Sequence, residues 1–273
     1  MIIFSFYFLF LIHLINGQQG IYNMFMPDLP PLHPRVPSSS NSLLTRETHT
    51  FTTRSFTKIN LSGGPFNVKL YHNTNSNDNY TSVEVEAEQS LHKLISIDII
   101  QNDILTIRMI ENLNLNNNHT NITLIIIYRE LTELYIDGLI NVQCVNQIQT
   151  HMFRLHHRGT GSIKLKLHVN VLDAYLHSIG RIKLCGQVND DAILKSLGVG
   201  DVDCRNLLTK KINVISSGIG NIYITAIDEI NITLSGIGTV YYSGPLKQQI
   251  KTGLGNIMEM PINDQQIFNQ DLD

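Results

Sequence analysis

Ser217-Gly218-Ile219-Gly220-Asn221-Ile222 and then Ser235-Gly236-Ile237-Gly238-Thr239-Val240 carry the pattern that decides the fold. The phrase returns as Gly159-Thr160-Gly161, Ser178-Ile179-Gly180, Gly198-Val199-Gly200 and Gly253-Leu254-Gly255, and in altered form as Asp137-Gly138-Leu139-Ile140. Taking the last residue of each as position zero, the zeros fall at 140, 161, 180, 200, 220, 238 and 255, a period of 17 to 21 residues. A repeat at that period outranks any local reading, because a unit so short cannot close a core alone and must stack on its neighbours.

The side chains keep the same register. Two residues after each zero stand Val142, Ile163, Ile182, Val202, Ile222, Val240 and Ile257, all apolar and β-branched. Four after zero stand Cys144, Leu165, Leu184, Cys204, Ile224, Tyr242 and Glu259. A spacing of two puts both columns on one face of a strand. The residue between the glycines is usually apolar (Leu139, Ile179, Val199, Ile219, Ile237, Leu254), yet it lies at an odd offset from the first column. We take the glycines as a corner at which the inward phase is reset, turning these side chains in with the columns. The resulting fold class is all-β: a right-handed parallel β-solenoid of about seven coils, each of 17–21 residues, preceded by a smaller irregular β region. At about 4.8 Å per coil the stack is roughly 34 Å long. A β-sandwich with regular turns is the competing arrangement, but it would not require one column to repeat its residue type every 20 positions.

Upstream of the repeats the runs are shorter. Ile59, Leu61, Phe66, Val68 and Leu70 read as a hairpin-like pair about Ser62-Gly63-Gly64-Pro65. Val83, Val85 and Ala87 alternate with glutamates, and Leu124–Tyr128 is continuously apolar, as in a strand buried on both faces. Five of the eight prolines crowd between Pro27 and Pro37, followed by Ser38-Ser39-Ser40-Asn41, the composition of an extended linker. Residues Ile2–Ile15 are apolar apart from Ser5 and His13, too short to span a bilayer, with small residues following. This assigns 1–17 as a signal peptide cut at Gly17–Gln18, with an uncleaved signal anchor as the alternative. Residues 18–50 are then a largely disordered linker, 51–133 the N-terminal β region, 134–260 the solenoid and 261–273 a polar tail. Five Asn-x-Ser/Thr sequons, at Asn60, Asn79, Asn118, Asn121 and Asn231, fit a secreted, extracellular glycoprotein. The polar C-terminus argues against a lipid anchor or a membrane span in the mature chain.

Composition narrows the partners. The net charge is -3, so bulk electrostatics do not point to nucleic acid. Three cysteines cannot all pair, which excludes a fully bridged disulfide scaffold. Cys144 and Cys204 share an inward column three coils apart, beyond disulfide reach, and Cys185 at an odd offset points out. His156, His157 and His177 fall on neighbouring coils but share no column, which speaks against a metal site. No Gly-x-Gly phrase has the third glycine or following helix of a dinucleotide site, and Val202 sits where a calcium-binding nonapeptide needs Asp. No cofactor is expected.

Residues 56–257 resemble the bacterial family called the putative auto-transporter adhesin head GIN domain. Phe56-Thr57-Lys58-Ile59, the turn Ser62-Gly63-Gly64-Pro65 leading into Phe66-Asn67-Val68-Lys69-Leu70, and the Ser-Gly-Ile-Gly phrases at 217 and 235 carry the likeness. The resemblance implies an exported β-helical protein with an adhesive or structural role, and it brings no catalytic residues.

The outward slots hold the candidate site. One and three residues after zero, Arg181 falls beside Asp201 and Lys183 beside Asp203, read as a surface ion-pair ladder. Tyr223 and Tyr241 follow in the same slot, and we expect their rings about 5 Å apart as a rigid stacking platform. Tyr223, Tyr241, Lys164 and Lys183 are therefore the ligand-binding candidates. The expected function is that of a secreted or surface-associated adhesin-like module, not an enzyme, binding a glycan or protein surface, with oligomers open. The alternative is a carbohydrate-active β-helix enzyme of polysaccharide lyase or hydrolase type, which would need a groove with convergent carboxylates.

Overall fold

The computed structural model describes residues 44–52, 55–74, 80–101, 103–110 and 121–260. The signal peptide with Gly17 and Gln18, most of the linker, the sequons at Asn79 and Asn118 and the tail 261–273 lie outside them.

The described residues are nearly all strand, in one sheet that winds on itself. The long strands β8 (Glu133–Cys144), β9 (Ile148–Thr160), β10 (Ile163–Ile179), β11 (Ile182–Ser196), β12 (Val202–Ser216) and β13 (Ile222–Leu234) stack in parallel, each on the next. β14 (Thr239–Ser243) and β15 (Leu246–Lys251) continue on β13, and β16 (Asn256–Glu259) pairs β14. Bulges bend the long strands, at Lys183/Gly186 and Val188/Asp191 against β12 for example, so one strand supplies two sides of a coil.

The first column pairs as expected: Val142 with Ile163, then Ile182, Val202, Ile222, Val240 and Ile257. From Val142 to Val240 its members are buried to 2% exposure or less. Burying each such side chain contributes roughly 1.5–3 kcal/mol.

The column continues upstream. β2 (Lys58–Ser62) and β3 (Phe66–His72) both run parallel to β8, and Val68 stands in register with Val142. They are therefore not a hairpin: they are two sides of a further coil, joined by a corner at Gly63 with φ 74°. β6 (Ile104–Met109) and β7 (Ile122–Tyr128) form the layer before that. β7 buries alternate residues, with Thr123, Ile125 and Ile127 half-exposed, so only one of its faces is in the core. The N-terminal end is closed by antiparallel strands: β4 (Thr81–Glu88) on β7, β1 (Leu44–Phe51) on β4, and β5 (Ile95–Ile100) on β6. β1 begins at Leu44, inside the span read as linker. One short helix, α1 (Gln89–His92), follows β4.

The solenoid completes about six turns, against the seven expected. The physical reason lies in the last coil. There three inward positions turn polar, with Gln249 on Ile232, Lys251 on Leu234 and Glu259 on Tyr242, while Ile257 still continues the first column. Such residues offer no apolar surface for another coil and block edge-to-edge growth.

The glycine corner corrects the expected phase reset. Ile179, Val199, Ile219 and Ile237 bridge one another in register, so the strand alternation runs through the corner unbroken. The glycines fill the inward slots and the apolar residues between them stand outward, Ile219 and Ile237 each 51% exposed. With Leu139 and Leu254 they form an apolar ridge along the outside.

This assignment separates two isoleucines of one phrase. Ile222→Asp places an unpaired carboxylate in the buried column and should cost several kcal/mol, about 3–5, unfolding the protein or trapping it in aggregates. Ile219→Asp, on the ridge, should fold with a melting temperature close to the parent. Thermal denaturation followed by circular dichroism checks both. Equal effects of the two substitutions would contradict the assigned faces.

Candidate functional site

One outer side of the solenoid carries the predicted residues as rungs. Lys69, Gln143, Lys164, Lys183, Asp203, Tyr223, Tyr241 and Met258 stand in register in that order. The structure thus brings all four sequence candidates onto one column, Lys164 and Lys183 at adjacent rungs and Tyr223 and Tyr241 two rungs on.

The tyrosine rings are parallel within 5°, with centroids 4.9 Å apart. Arg205 completes the stack, its Cζ 4.7 Å from the Tyr223 centroid. Arg205 comes from the coil before and Tyr241 from the coil after, so both faces of Tyr223 are covered. Met258 stands on the far side of Tyr241. The pair therefore offers hydroxyls and ring edges outward, not the open stacking faces expected from the sequence.

Arg205 is the residue that sequence reasoning missed. A register shift between Cys204 and Leu208 bulges β12 there and folds the side chain back. Arg205 Nε and Nη2 donate to Asp203 Oδ1 and Oδ2 at 2.9 and 2.6 Å, and its backbone N–H donates to Oδ1 at 3.2 Å. Partial burial works to raise the Asp203 pKa, but the Arg205 hydrogen bonds and charge outweigh it and hold the carboxyl below its ordinary value. The signal was in the sequence: Asp203 and Arg205 are two apart, on one face of a strand. The Lys183–Asp203 ion pair expected there does not form, because Arg205 reaches the carboxylate first. Asp201 likewise does not pair Arg181; its Oδ1 accepts the Asn221 N–H at 2.8 Å.

That last bond belongs to a second ladder beside the first. Asn67 Nδ2 donates to Asn121 Oδ1 at 2.9 Å and Asn141 Nδ2 to Asn67 Oδ1 at 3.1 Å. Ser162 donates to Asn141 Oδ1 from both its N–H and Oγ, and the Thr239 N–H donates to Asn221 Oδ1 at 3.0 Å. The slot one after zero thus ties successive coils together through side chains.

The remaining candidates do not converge. His156 faces outward between Tyr135 and Tyr175, with ring centroids 6.3 and 6.2 Å away. His157 is its neighbour on the opposite, inward face, and His177 stands in register with Arg158. Among the described residues no three His, Cys, Asp or Glu side chains group as a metal site would require. The three cysteines are free. Cys185 is half-buried, not exposed as expected, its Sγ 3.6 Å from the Leu165 carbonyl oxygen. Burial pushes the Cys144 thiol up to about 11 and raises Cys204 and Cys185 as well, so none is a thiolate nucleophile at neutral pH.

The described sequons differ in environment. Asn231 Nδ2 donates to both Asn213 Oδ1 and Glu229 Oε1, at 2.8 and 2.9 Å. Asn60 is half-buried between Thr106 and Tyr135, its side-chain oxygen closed off from solvent. Asn121 is exposed at the start of β7 and uses only its oxygen in the ladder.

No helix of the described residues is long and apolar enough to cross a membrane. The sequence profile of the family described as putative auto-transporter adhesin, head GIN domain, matches residues 55–245. No curated protein matches the chain in sequence. Among solved structures it is similar to a putative adhesin from Bacteroides fragilis, with TM-score 0.71 and 23% identity, over 79% of this chain and 97% of that one. A putative adhesin and a putative lipid binding protein, both from Parabacteroides distasonis, align with TM-scores 0.53 and 0.52 at 18% and 17% identity. Each covers 79% of this chain and 97% of its own. At these identities the shared property is the fold.

His157 remains as the one buried ionisable ring nitrogen pair without a partner among the described residues: it is 1% exposed and neither Nδ1 nor Nε2 is hydrogen-bonded. Burial pushes its pKa down from 6.5 to about 4. The unfolded chain then binds the proton more readily than the folded one. The contribution of neutral His157 is complete above about pH 6.5 and is lost as pH falls toward about 4, a total of about 3 kcal/mol. Urea unfolding at pH 7.5, 5.5 and 4.5 should show this decline, and His157→Leu should remove that part of it. Parallel pH curves for the two proteins would place the sensitivity elsewhere.

Proposed function

The chain belongs to the putative auto-transporter adhesin head GIN domain family, and from that premise we propose that it is a secreted or surface-associated binding module. Its partner is an extracellular glycan or protein, and the outer side bearing Lys164, Lys183, Arg205, Tyr223 and Tyr241 meets it. The observation that carries this reading is the stack of Arg205, Tyr223 and Tyr241, held rigid by Asp203 and displayed on a flat sheet. Tyrosine edges and a guanidinium fixed in place offer donors and apolar rims at small entropic cost. The enzyme alternative is less favoured. It needs carboxylates converging on a groove, and the acids of this side, Asp201 and Asp203, are engaged by Asn221 and Arg205.

The ridge of Val199, Ile219 and Ile237 supports a second surface, for an apolar partner, and one structural relative is described as a putative lipid binding protein. A screen of the secreted protein against glycan and cell-surface protein arrays, with two variants, distinguishes them. Tyr223→Ser/Tyr241→Ser should weaken the strongest interaction roughly tenfold or more while the fold persists. Val199→Ser/Ile219→Ser/Ile237→Ser should leave it intact. The opposite ranking would move the binding surface to the ridge, and a carbohydrate turned over by the parent protein would favour the enzyme.

Export carries its own test. Protein from a eukaryotic culture medium should begin at Gln18 and bear a glycan at Asn121, with Asn231 unmodified because its amide donates to Asn213 and Glu229, and Asn60 unmodified because it is half-buried between neighbouring strands. Peptide mapping by mass spectrometry reads all three sites. An uncleaved protein retained in cells would overturn secretion, and a fully occupied Asn231 would overturn the site assignment.

A further inference from the structure

We propose that Lys69, Lys164, Lys166 and Lys183 form a binding strip for an acidic polysaccharide, one bearing sulfate or carboxylate groups. The proposal rests on reading this outer side as the binding surface, and it names the class of partner.

Among the described cations that form no ion pair, such as Lys195, Lys210 and Lys211, the strip stands out by its alignment on one side. Arg46, Lys58, Arg154, Arg158, Arg205 and Lys247 each form an ion pair with a carboxylate. Lys69, Lys164, Lys166 and Lys183 take part in no ion pair among the described residues, and all four lie on the same side. Lys164 and Lys183 are direct register partners. Like charges placed opposite each other on neighbouring strands oppose folding. A sheet that keeps such a pair, its one neighbouring acid Asp203 already engaged by Arg205, is poised for an external counter-charge.

The neighbours confirm that the charge is available. Lys166 faces Cys185, and Gln143 separates Lys69 from Lys164. The next rung beyond Lys183 is Asp203, which Arg205 already engages. At the other end Glu84 and Glu86 lie against Arg46, at 3.1 and 3.5 Å. A basic stretch of four rungs, spanning about 14 Å, therefore lies between two neutralised borders.

Its shape selects the ligand. The lysines follow the solenoid axis on an open sheet, which suits an extended chain with charges at intervals and not a compact anion needing enclosure. Asn67, Asn141 and Ser162 line one flank with amide and hydroxyl groups, and Tyr223 and Tyr241 stand beyond Asp203, so sugar hydroxyls meet partners alongside the charges. The net charge of -3 gives no polyanion a bulk attraction, so binding falls to this local strip, and its flanking amide and hydroxyl groups favour a sugar chain over nucleic acid.

Heparin, a sulfated polysaccharide, and dextran, a neutral one, test this by titration calorimetry on the full secreted chain across a salt series. Heparin should bind and weaken steeply with salt, and dextran should not bind. Lys164→Gln/Lys183→Gln should lower heparin affinity roughly tenfold and keep or raise the melting temperature, since it relieves like-charge opposition. Lys210→Gln/Lys211→Gln, an equal loss of charge elsewhere, should leave heparin affinity within about twofold. Equal losses in the two double variants, salt-independent binding, or binding to phosphatidylserine vesicles without binding to heparin would overturn the proposal. Absence of heparin binding alongside a Tyr223/Tyr241-dependent partner from the arrays would overturn the polyanion while leaving the broader binding function intact. Absence of both would overturn both.

Discussion

The solenoid depends on backbone meeting backbone at the glycine corner. At Gly200, with φ 137°, a Cβ would fall on the carbonyl oxygen of Gly180, one coil earlier. At Gly220 the same atom would meet the Gly200 carbonyl. No larger residue fits, because the obstacle is main chain and cannot rotate away. The hydrogen bonds that hold the corner pass between these segments: Gly200 N–H to the Ile219 carbonyl at 2.8 Å, and Ile219 N–H to the Gly198 carbonyl at 2.9 Å. The corner is thus both the tightest part of the coil and a continuous ladder.

One consequence follows along the chain. Since the ladder is unbroken, side chains keep alternating through the turn, and Val199 and Ile219 must stand outside. The inward column four residues before each zero runs through Leu176, Ser196, Ser216 and Leu234, all buried and in register. His157 occupies the same column one coil before Leu176, between it and Ile136. An imidazole without a partner in that position ties the stability of the coil to pH.

The outer side follows from the same alternation with one departure. Residues three after zero point outward because residues two and four after zero point in, which lines up lysines and tyrosines without further instruction. The bulge after Cys204 then adds Arg205, which claims Asp203 and caps the tyrosine stack. One guanidinium thereby changes the character of the whole strip. It removes the acid that would have neutralised Lys183 and covers the ring that would have stacked on a sugar.

Residue order alone dictates the repeat, the two buried columns and the outward slot with Lys164, Lys183, Tyr223 and Tyr241. A period of two within a period of about 20 admits one arrangement in which every apolar column is buried. The family was legible for the same reason, since its signature is that repeat. Contacts between coils, by contrast, emerge only once the chain has folded. Whether the apolar residue in Gly-Ile-Gly faces in or out depends on backbone clearance at the corner, which a single phrase does not reveal. Whether residues 58–72 form a hairpin or a coil depends on β8, more than 60 residues later, arriving as the shared partner of both strands. The choice of Asp203 between Lys183 and Arg205 depends on a bulge, where three extra residues on one strand bring a side chain back over the sheet. Local pattern fixes which face a residue occupies, but the partner it finds there is set by the chain above and below.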